Sequence, residues 1–366
     1  MTMTLHSHTA VSPNRLQLAF AWAHRNLFSS WANSLLTLFC LWLMWVLIPP
    51  LLNWTIFDAN WLGSSRTDCT RDGACWVFVH ARFGQFMYGL YPTDERWRIN
   101  LALLIGLLSI APMFWKALPR RGRYIACWVV AYPIVVWVLL YGGLLGLPLV
   151  ETRQWGGLTL TLIIAAVGIA GALPLGILLA LARRSTLPIV RVLSVVFIEF
   201  WRGVPLITVL FMSSVMLPLF LAEGTNIDKL LRALVGVIMF QSAYVAEVVR
   251  GGLQALPKGQ YEAAESLGLG YWKTQGLVIL PQALKLTIPG LVNTIIALFK
   301  DTSLVIIIGL FDLFSSVQQA TVDPAWLGMS TEGYVFAAAI YWVFCFSMSR
   351  YSQHLEKRFN TGRSNH

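Results

Sequence analysis

Long apolar runs separated by short polar loops dominate this chain. A helix that crosses a membrane needs about 20 predominantly apolar residues, and eight segments reach or approach that length. The segments are 34–53, 99–116, 124–148, 157–182, 195–221, 230–250, 285–311 and 333–351. The pattern therefore predicts an all-α integral membrane protein with about eight transmembrane helices.

The composition agrees with a membrane protein. Charged residues make up 12% of the chain, whereas soluble domains carry about 25%. The first apolar run begins near Leu35 and is too long for a cleaved signal peptide, so it is interpreted as an anchor. The net charge of +10 resides in short loops between apolar spans. That placement indicates contact with membrane lipid and excludes nucleic acid as an expected partner.

Lysine and arginine concentrate in alternate loops. The basic loops and the tail hold Lys116, Arg120, Arg121 and Arg123, then Arg183, Arg184 and Arg191, then Arg250, Lys258 and Lys273, and finally Arg350, Lys357, Arg358 and Arg363. With eight spans, all of these residues fall on one side together with both termini. The positive-inside rule assigns that side to the cytoplasm.

The two halves of the chain differ in texture. Residues 1–150 hold three long apolar spans and an aromatic-rich loop, 54–98, which is expected outside as a lid on the outer face. Residues 151–351 concentrate glycine, proline and intramembrane charge, and 352–366 form a cytoplasmic tail. We place a functional boundary near Glu151.

Two cysteines flank a polar loop that is rich in turn residues. If this loop faces an oxidising compartment, a short disulfide between Cys69 and Cys75 is plausible, and two unpaired thiols remain an equal alternative. Cys40, Cys127 and Cys345 lie within apolar spans, where packing is the expected role.

A polar amphipathic segment interrupts the apolar pattern in the loop 251–281. It comprises Gln260, Tyr261, Glu262, Ala263, Ala264, Glu265, Ser266, Leu267 and Gly268. The turn signal Pro257-Lys258-Gly259 precedes it, and its two glutamates suit the positive end of a helix. Its small residues form a nearly flat strip, and Leu267 and Leu269 could seat the helix on the bundle. A docking surface for a soluble partner and an interfacial helix on lipid both remain open, although helices of the latter kind usually carry Lys and Arg.

The spacing of this segment resembles a known signature. Glu262-Ala263-Ala264, then Gly268, then Leu280-Pro281 is similar to the EAA loop of ABC importer permeases, with Val278 at the usual isoleucine position. Residues 183–185, 198–206, 243–252 and 298–304 resemble stretches of polar amino-acid permeases. The N-terminal extension, with its cysteine loop, is similar to one permease subunit of the general L-amino acid transporters.

This resemblance implies an architecture and a set of partners. The C-terminal five helices would form a type I ABC importer permease core, and the EAA loop would insert into a cleft on an ABC ATPase dimer. A second permease subunit of different sequence and a periplasmic amino-acid-binding protein would complete a bacterial inner-membrane importer for L-amino acids. ATP and Mg would bind the ATPase, so this chain would carry no cofactor and would not be an enzyme.

A charged pair lies inside the seventh apolar span. Lys300 and Asp301 are followed by the hydroxyls of Thr302 and Ser303. Charges in hydrocarbon cost a few kcal/mol each, so they face the bundle interior or water and are functional by default. They could bind the carboxylate and ammonium groups of a zwitterion along the translocation path. A structural ion pair between helices is an equal alternative.

The fifth apolar span, 195–221, combines a charged pair with residues that interrupt a helix. Glu199 and Arg202 are three residues apart and share a helix face, and Gly203 and Pro205 would kink or break that helix. These four residues form a predicted gate, with an anchoring pair at the membrane edge as the alternative.

The sixth span carries a polar face. Gln241 and Tyr244 lie on one side of the helix, with Glu247 adjacent. These side chains could contact substrate or could form hydrogen bonds that hold helices together.

Several catalytic signatures are absent from the sequence. It has no phosphate-binding Gly-x-x-x-x-Gly-Lys-Ser/Thr loop, no paired His/Glu metal motif and no Gly-x-Ser-x-Gly elbow. A membrane enzyme is therefore disfavoured. A secondary, ion-coupled transporter remains the alternative function, although such proteins often contain two related halves and no clear repeat is visible here.

Overall fold

A computed structural model describes residues 15–70, 72–114, 121–144, 146–222 and 227–360. Lys116, Arg120 and Arg363 of the predicted basic regions lie outside the described residues, as does the end of the tail. The chain divides into two compact units, Met1–Val77 and Phe78–His366. The predicted functional boundary near Glu151 is a separate question and stays a prediction.

The first unit contains two helices and a compact loop. Helix α1 is Arg15–Leu27 and helix α2 is Trp31–Leu52. Ser30 caps α2, because its hydroxyl accepts a hydrogen bond from the backbone N–H of Asn33 at 3.2 Å. With a π-helical turn at Asn53–Phe57, α2 forms a 27-residue apolar segment, long enough to cross a membrane.

The loop after α2 is closed by a disulfide and by backbone hydrogen bonds of Asn60 with Ala74 and Trp76. Cys69 and Cys75 are disulfide-bonded, with their Cα atoms 5.6 Å apart. Asp68 accepts hydrogen bonds from the backbone N–H groups of Ser64 and Ser65 at 2.8 and 3.0 Å. These bonds hold the pKa of its carboxyl below the usual range.

The disulfide can be tested by chemical labelling of the free thiols. We expect iodoacetamide to label only Cys40, Cys127 and Cys345 in the denatured, unreduced protein, because the other two cysteines are bonded to each other. Reduction should then expose both remaining thiols, and Cys75→Ser should add one label, at Cys69, without reduction. Mass spectrometry counts the labels, and labelling of all five cysteines before reduction would contradict the bond.

The second unit is almost entirely helical. Its helices are α3 Trp76–Tyr88 (which begins at the junction of the units), α4 Arg96–Ile110, α5 Arg121–Tyr141, α6 Gly157–Arg183, α7 Pro188–Gly203, α8 Leu206–Phe211, α9 Lys229–Gln254, α10 Lys258–Ser266, α11 Tyr271–Lys273, α12 Leu280–Asp301, α13 Leu313–Thr321 and α14 Ser330–Asn360. Its short 3₁₀ segments are Thr93–Glu95, Ala111–Phe114, Thr152–Gln154, Leu217–Phe220, Thr302–Ile308 and Pro324–Trp326, and its π-helical turns are Met212–Met216 and Thr274–Ile279. The first unit has one 3₁₀ segment among its described residues, Arg66–Asp68. One two-residue strand, β1 Phe311–Asp312, pairs in parallel with Gly156 and Gly157. The helical fold class is confirmed.

Within the described residues, six helices are long and apolar enough to cross a membrane, or up to seven if the bent pair α7 and α8 forms one span. The sequence predicted about eight. The difference is the second predicted span, because α4 has only 15 residues and the chain leaves the described part soon after it. The predicted fifth span exists only as the bent pair.

Helices α6 and α9 form the centre of the second unit. A Cβ atom at Gly176 would lie 2.5 Å from Cγ1 of Val245 and 2.9 Å from the carbonyl oxygen of Ser242. Only glycine therefore permits this approach. A buried apolar cluster from α6, α7, α9, the π-helical turn Thr274–Ile279 and α12 includes Leu181, Ile198 and Ile279, and Tyr261 of α10 packs against it. The segment predicted to dock a partner therefore packs on a buried apolar cluster.

Helix α3 packs at the other end of the second unit. The rings of Phe78 and Trp326 are 5.6 Å apart, those of Phe86 and Phe336 are 5.5 Å apart, and Arg82 forms an ion pair with Asp323. Residues 78–88 of the predicted lid thus pack against the loop before α14 and against α14 itself.

Candidate functional site

Helix α10 is a short helix with defined ends. Pro257 precedes it in an extended conformation, and Gly268 follows it with φ +70°. The N–H of Gly268 donates to the carbonyl of Glu265 at 2.9 Å, and the N–H of Leu269 donates to that of Ala264 at 3.2 Å. These bonds form a Schellman motif, in which the left-handed residue is usually glycine because it has no Cβ. The sequence therefore sets where the helix ends.

The exposure of α10 divides its residues into two groups. Ala264 is buried, and its exposed neighbours are Glu262, Ala263, Glu265, Ser266, Leu267 and Gly268. The expectation that Leu267 seats the helix on the bundle is wrong, because this side chain is 79% exposed. The predicted flat strip is also narrower, since Ala264 faces the bundle and only Ala263 and Gly268 remain outside.

Polar contacts attach α10 to the end of α6 and to α12, and through Arg184 to the end of α9. Nη1 of Arg184 donates to Oη of Tyr261 at 2.9 Å and to the carbonyl of Leu253, at the end of α9, at 3.1 Å. The Arg184 guanidinium also lies 5.4 Å from the centre of the Tyr261 ring. Nε2 of Gln282 on α12 donates to Oε1 of Gln260 at 3.0 Å. A displacement of α10 would therefore be transmitted to the ends of α6, α9 and α12.

Exposed apolar side chains continue beyond α10. Trp272 and Leu277 are each 71% exposed, and the Trp272 ring packs edge-on against Tyr271 at 5.3 Å. Together with Leu267 they make an apolar surface on the same segment. This surface and the exposed face of α10 are called the coupling surface below.

Five charged residues meet near the same end of the bundle and are called the ionic cluster: Arg183, Glu199, Arg202, Glu247 and Arg250. Glu247 is its centre, with nitrogen–oxygen distances of 2.7 Å to Arg183, 2.8 Å to Arg250 and 3.8 Å to Arg202. Arg183 also reaches Glu199 at 3.0 Å. The cluster thereby links α6, α7 and α9.

The predicted Glu199–Arg202 pair is only part of this cluster. Its atoms are 3.9 Å apart, and the closer partner of Glu199 is Arg183. The sequence predicts Glu247 in the substrate path, whereas the structure pairs it with Arg183 and Arg250. A repeated spacing could have revealed the centre, because Glu247 and Arg250 stand in the same Glu-x-x-Arg arrangement as Glu199 and Arg202.

The predicted helix break next to the cluster is confirmed. Helix α7 ends at Gly203, Val204 is extended, and Pro205 precedes α8. The two helical segments differ in direction by 102°. The ionic cluster therefore holds α7 just before a sharp bend.

Lys300 and Asp301 occupy the end of α12, where the helix tightens into the 3₁₀ segment Thr302–Ile308. Lys300 is exposed and Asp301 is partly buried. Within the described part of the chain, neither side chain has a hydrogen-bond or ion-pair partner. The hydroxyls of Thr302 and Ser303 donate to backbone carbonyls of their own helix, those of Phe299 and Lys300, at 2.8 and 2.9 Å.

The predicted polar face of α9 has separate functions along its length. Gln241 is buried, and its Nε2 donates to the carbonyl of Thr294 on α12 at 2.8 Å, which joins the two helices. Tyr244 packs its ring 5.0 Å from that of Phe240 and 5.8 Å from the guanidinium of Arg202. Glu247 is committed to the ionic cluster. The structure therefore brings Tyr244 and Glu247 to the cluster and leaves Gln241 as an interhelical contact.

Comparison with protein families identifies the class of this protein. Residues 172–361 match the model of the binding-protein-dependent transport system inner membrane component. This range includes α7 to α14, and hence the coupling surface, the last twelve residues of α6 and every member of the ionic cluster. The chain belongs to this family.

Known members of the family extend the match to the whole chain. An inner membrane amino-acid ABC transporter permease protein of Escherichia coli K12, YhdY, is 81% identical, and the alignment covers 100% of each chain. The glutamate/glutamine/aspartate/asparagine transport system permease protein BztC of Rhodobacter capsulatus is 40% identical, over 93% of each chain. The crystal structure of an amino acid ABC transporter with histidines has a chain that is 32% identical in sequence to this one. The match covers 55% of this chain and 92% of that chain, with a TM-score of 0.48.

Membership of the binding-protein-dependent family fixes the general role. The chain is a multi-span permease subunit of an ABC transporter of the inner membrane. It is a transport component and not an enzyme, and the ATPase is a separate subunit. Partners of the ATPase and binding-protein classes follow from the family in general, and the ion-coupled alternative has no support.

Proposed function

We propose that this chain is one of two permease subunits of an importer for L-amino acids with polar side chains. The observation that carries the proposal is the 81% identity to an amino-acid permease over the full length of both chains. The 40% identical relative is named for glutamate, glutamine, aspartate and asparagine, which supports a polar cargo. Relatives that align over nearly the whole chain share the N-terminal extension as well as the core.

The coupling surface is the proposed contact with the ATPase. This surface carries exposed glutamates, one patch of small residues and the exposed side chains of Leu267 and Trp272. Such a surface suits a groove on another protein. ATP and Mg would bind the ATPase dimer. Closure of that dimer would push α10, and the Arg184–Tyr261 and Gln260–Gln282 contacts would carry the displacement into the bundle.

The ionic cluster is the proposed gate on the cytoplasmic side. Two of its ion pairs attach α7 to its neighbours, namely Arg183–Glu199 and Arg202–Glu247. The pairs Arg183–Glu247 and Arg250–Glu247 do not involve α7. Movement of α7 about its bend at Gly203 would break only the first two pairs, so the cluster can open without losing its centre.

Lys300 and Asp301 are the proposed substrate contacts, with Thr302 and Ser303 beside them. A zwitterion needs a cation for its carboxylate and an anion for its ammonium group. The lack of an ion-pair partner for either residue, within the described chain, favours this function over a structural ion pair between helices. Gln241 is the weakest of the predicted path residues, because its amide is already engaged.

Substitution tests the substrate contacts. We expect Lys300→Ala and Asp301→Ala to lower amino-acid uptake and amino-acid-stimulated ATPase activity at least tenfold, since each removes a charge-assisted contact of about 1.5–3 kcal/mol. Complex assembly should be unchanged. The matched controls are Lys357→Ala and Asp94→Ala, which remove the same charges from exposed positions. Unchanged transport in both α12 variants would refute the assignment.

The remaining assembly is proposed from the same evidence. A second permease of different sequence, a periplasmic amino-acid-binding protein and both termini in the cytoplasm complete the arrangement. Purification of the intact complex from the inner membrane, with mass spectrometry of its subunits and retained ligand, tests the composition. Recovery of this chain only as a homodimer would overturn the proposed second subunit.

A further inference from the structure

A pocket of about 420 Å³ lies where the end of α6, the start of α7 and the end of α9 meet. Its lining residues are Arg183, Arg184, Ser185, Arg191, Val195, Arg250 and Gln254. Four of the seven are arginines and none is acidic. This arginine pocket is separate from the exposed face of α10 and from Lys300 and Asp301.

The neighbouring carboxylates do not neutralise the arginine pocket. The ionic cluster supplies Glu199 and Glu247, which pair with Arg183, Arg202 and Arg250. Counting these residues with Arg184 and Arg191 gives five guanidinium groups against two carboxylates. Glu265 lines an adjoining pocket together with Arg184, and with this carboxylate counted as well a surplus of two positive charges remains.

Arg191 is the group most available to a ligand. Its side chain is exposed and, among the described residues, it has no hydrogen-bond or ion-pair partner. Arg184 has uncharged partners only, the Leu253 carbonyl and the Tyr261 hydroxyl and ring. No carboxylate among the described residues pairs with either guanidinium, so both are available to an anionic oxygen ligand.

The surroundings of the arginine pocket indicate where the anion comes from. Ile189, Val192, Leu193 and Val196 follow the helical spacing i, i+3, i+4 and i+7, and each is more than half exposed. They form an outward apolar stripe on α7 that suits the hydrocarbon of a bilayer. Arg191 and Val195 lie on the opposite side of the same helix and line the pocket. The pocket therefore lies on the bundle side of α7, between the helix ends that are predicted to be cytoplasmic, and basic pockets of this kind between transmembrane helices bind lipid headgroups.

We propose that the arginine pocket binds the phosphate of an anionic phospholipid headgroup. The phosphate would contact Arg191 and Arg184, and the acyl chains would pass the start of α7 to reach its apolar stripe. A bound lipid would occupy the junction between the ionic cluster and the arginine that holds Tyr261 of α10. The proposal holds whatever amino acid the transporter carries.

Native mass spectrometry of the full-length protein in its purified complex tests this site. After delipidation in neutral detergent, phosphatidylglycerol and phosphatidylcholine are titrated separately. We expect phosphatidylglycerol to bind roughly tenfold more tightly, since each basic residue near a membrane surface contributes about one factor of five. Arg191→Gln should weaken phosphatidylglycerol binding about fivefold, and Arg191→Lys should bind within about twofold of the wild type.

A control variant tests for a general effect of charge, and further outcomes identify the source of the anion. Arg350→Gln removes the same charge near the predicted cytoplasmic end of α14 and should leave binding unchanged. Equal binding of the two lipids would overturn the proposal, as would equal weakening by Arg191→Gln and Arg350→Gln. Complete displacement of the lipid by millimolar inorganic phosphate would show a site for the free anion instead. Protection of Arg191 from chemical modification by the ATPase, but not by the lipid, would assign the pocket to that subunit.

Discussion

Glu262→Lys is expected to abolish recovery of the ATPase subunit with this chain while leaving the chain in the membrane. Glu262 lies on the exposed face of α10 and has no role in holding the helix, which depends on Gln260, Tyr261 and Ala264. Reversal of its charge places a cation on a surface offered to a protein groove, and like-charge or unpaired contacts at an interface cost several kcal/mol. Affinity purification with quantification of the ATPase band measures the loss, and uptake should fall to background.

The control for this variant separates docking from general charge effects. Glu356→Lys makes the same change at an exposed position of α14, away from the coupling surface, and should retain the ATPase fully. Gly268→Trp provides a second route to the same result. Nothing lies within 4 Å of where its Cβ would be, so a loss would reflect the partner groove together with strain from the left-handed backbone. Normal recovery of the ATPase with both variants would contradict the docking assignment.

Glu247→Gln is expected to be the most destabilising single change in the ionic cluster. The carboxylate of Glu247 is only 17% exposed and contacts three guanidinium groups from three helices. Its loss would leave like charges facing one another at the junction of α6, α7 and α9. Removal of one partner from a fully buried ion pair costs about 3–5 kcal/mol, so about 2 kcal/mol is expected at this partly exposed site. Thermal unfolding of the purified complex measures the change.

A control and a graded series make the Glu247 prediction specific. Glu151→Gln breaks an exposed pair with Arg153 and should change stability by less than about 1 kcal/mol. Arg183→Gln should destabilise more than Arg202→Gln, because Arg183 makes contacts of 2.7 and 3.0 Å and Arg202 only 3.8 and 3.9 Å. The reverse order would disprove the arrangement of the cluster.

One further variant distinguishes a gate from an anchor. Glu199→Gln releases α7 from Arg183 but leaves Glu247 and its contacts to α6 and α9 in place. If the cluster gates transport, ATPase activity without binding protein should rise several-fold. A simple anchor would only lower stability, with basal activity unchanged.

Much of the fold could be predicted from apolar length alone. A helix in a membrane satisfies its own backbone, so a long apolar run has few other structures available. The prediction was weaker where a span is not one straight helix. Gly203 and Pro205 indicated a break, but nothing local in the sequence predicts an angle of 102°. Helix α7 packs against α6 and α9, and contacts of this kind are not visible in the segment itself.

Features of the candidate site that depend on residues close together in the sequence could be predicted. Gly268 signals the end of α10, and the Glu-x-x-Arg spacing places two charges on one helix face. Which side chains face the bundle was not predictable from the segment itself, as Ala264 and Leu267 demonstrate. The contacts of Arg183 with Glu247 and of Arg184 with Tyr261 join residues 64 and 77 positions apart. Such pairs depend on helix packing, which one sequence does not encode locally.

Uptake by proteoliposomes tests the central claim most directly. The purified complex, this chain included, is reconstituted with the binding protein on one side and ATP on the other. Labelled polar L-amino acids are supplied with the binding protein, and ionophores collapse all ion gradients. We predict uptake that requires ATP and the binding protein, persists without any gradient and is lost with Glu262→Lys. Uptake driven by an ion gradient in the absence of ATP would contradict the assignment as an ABC importer permease.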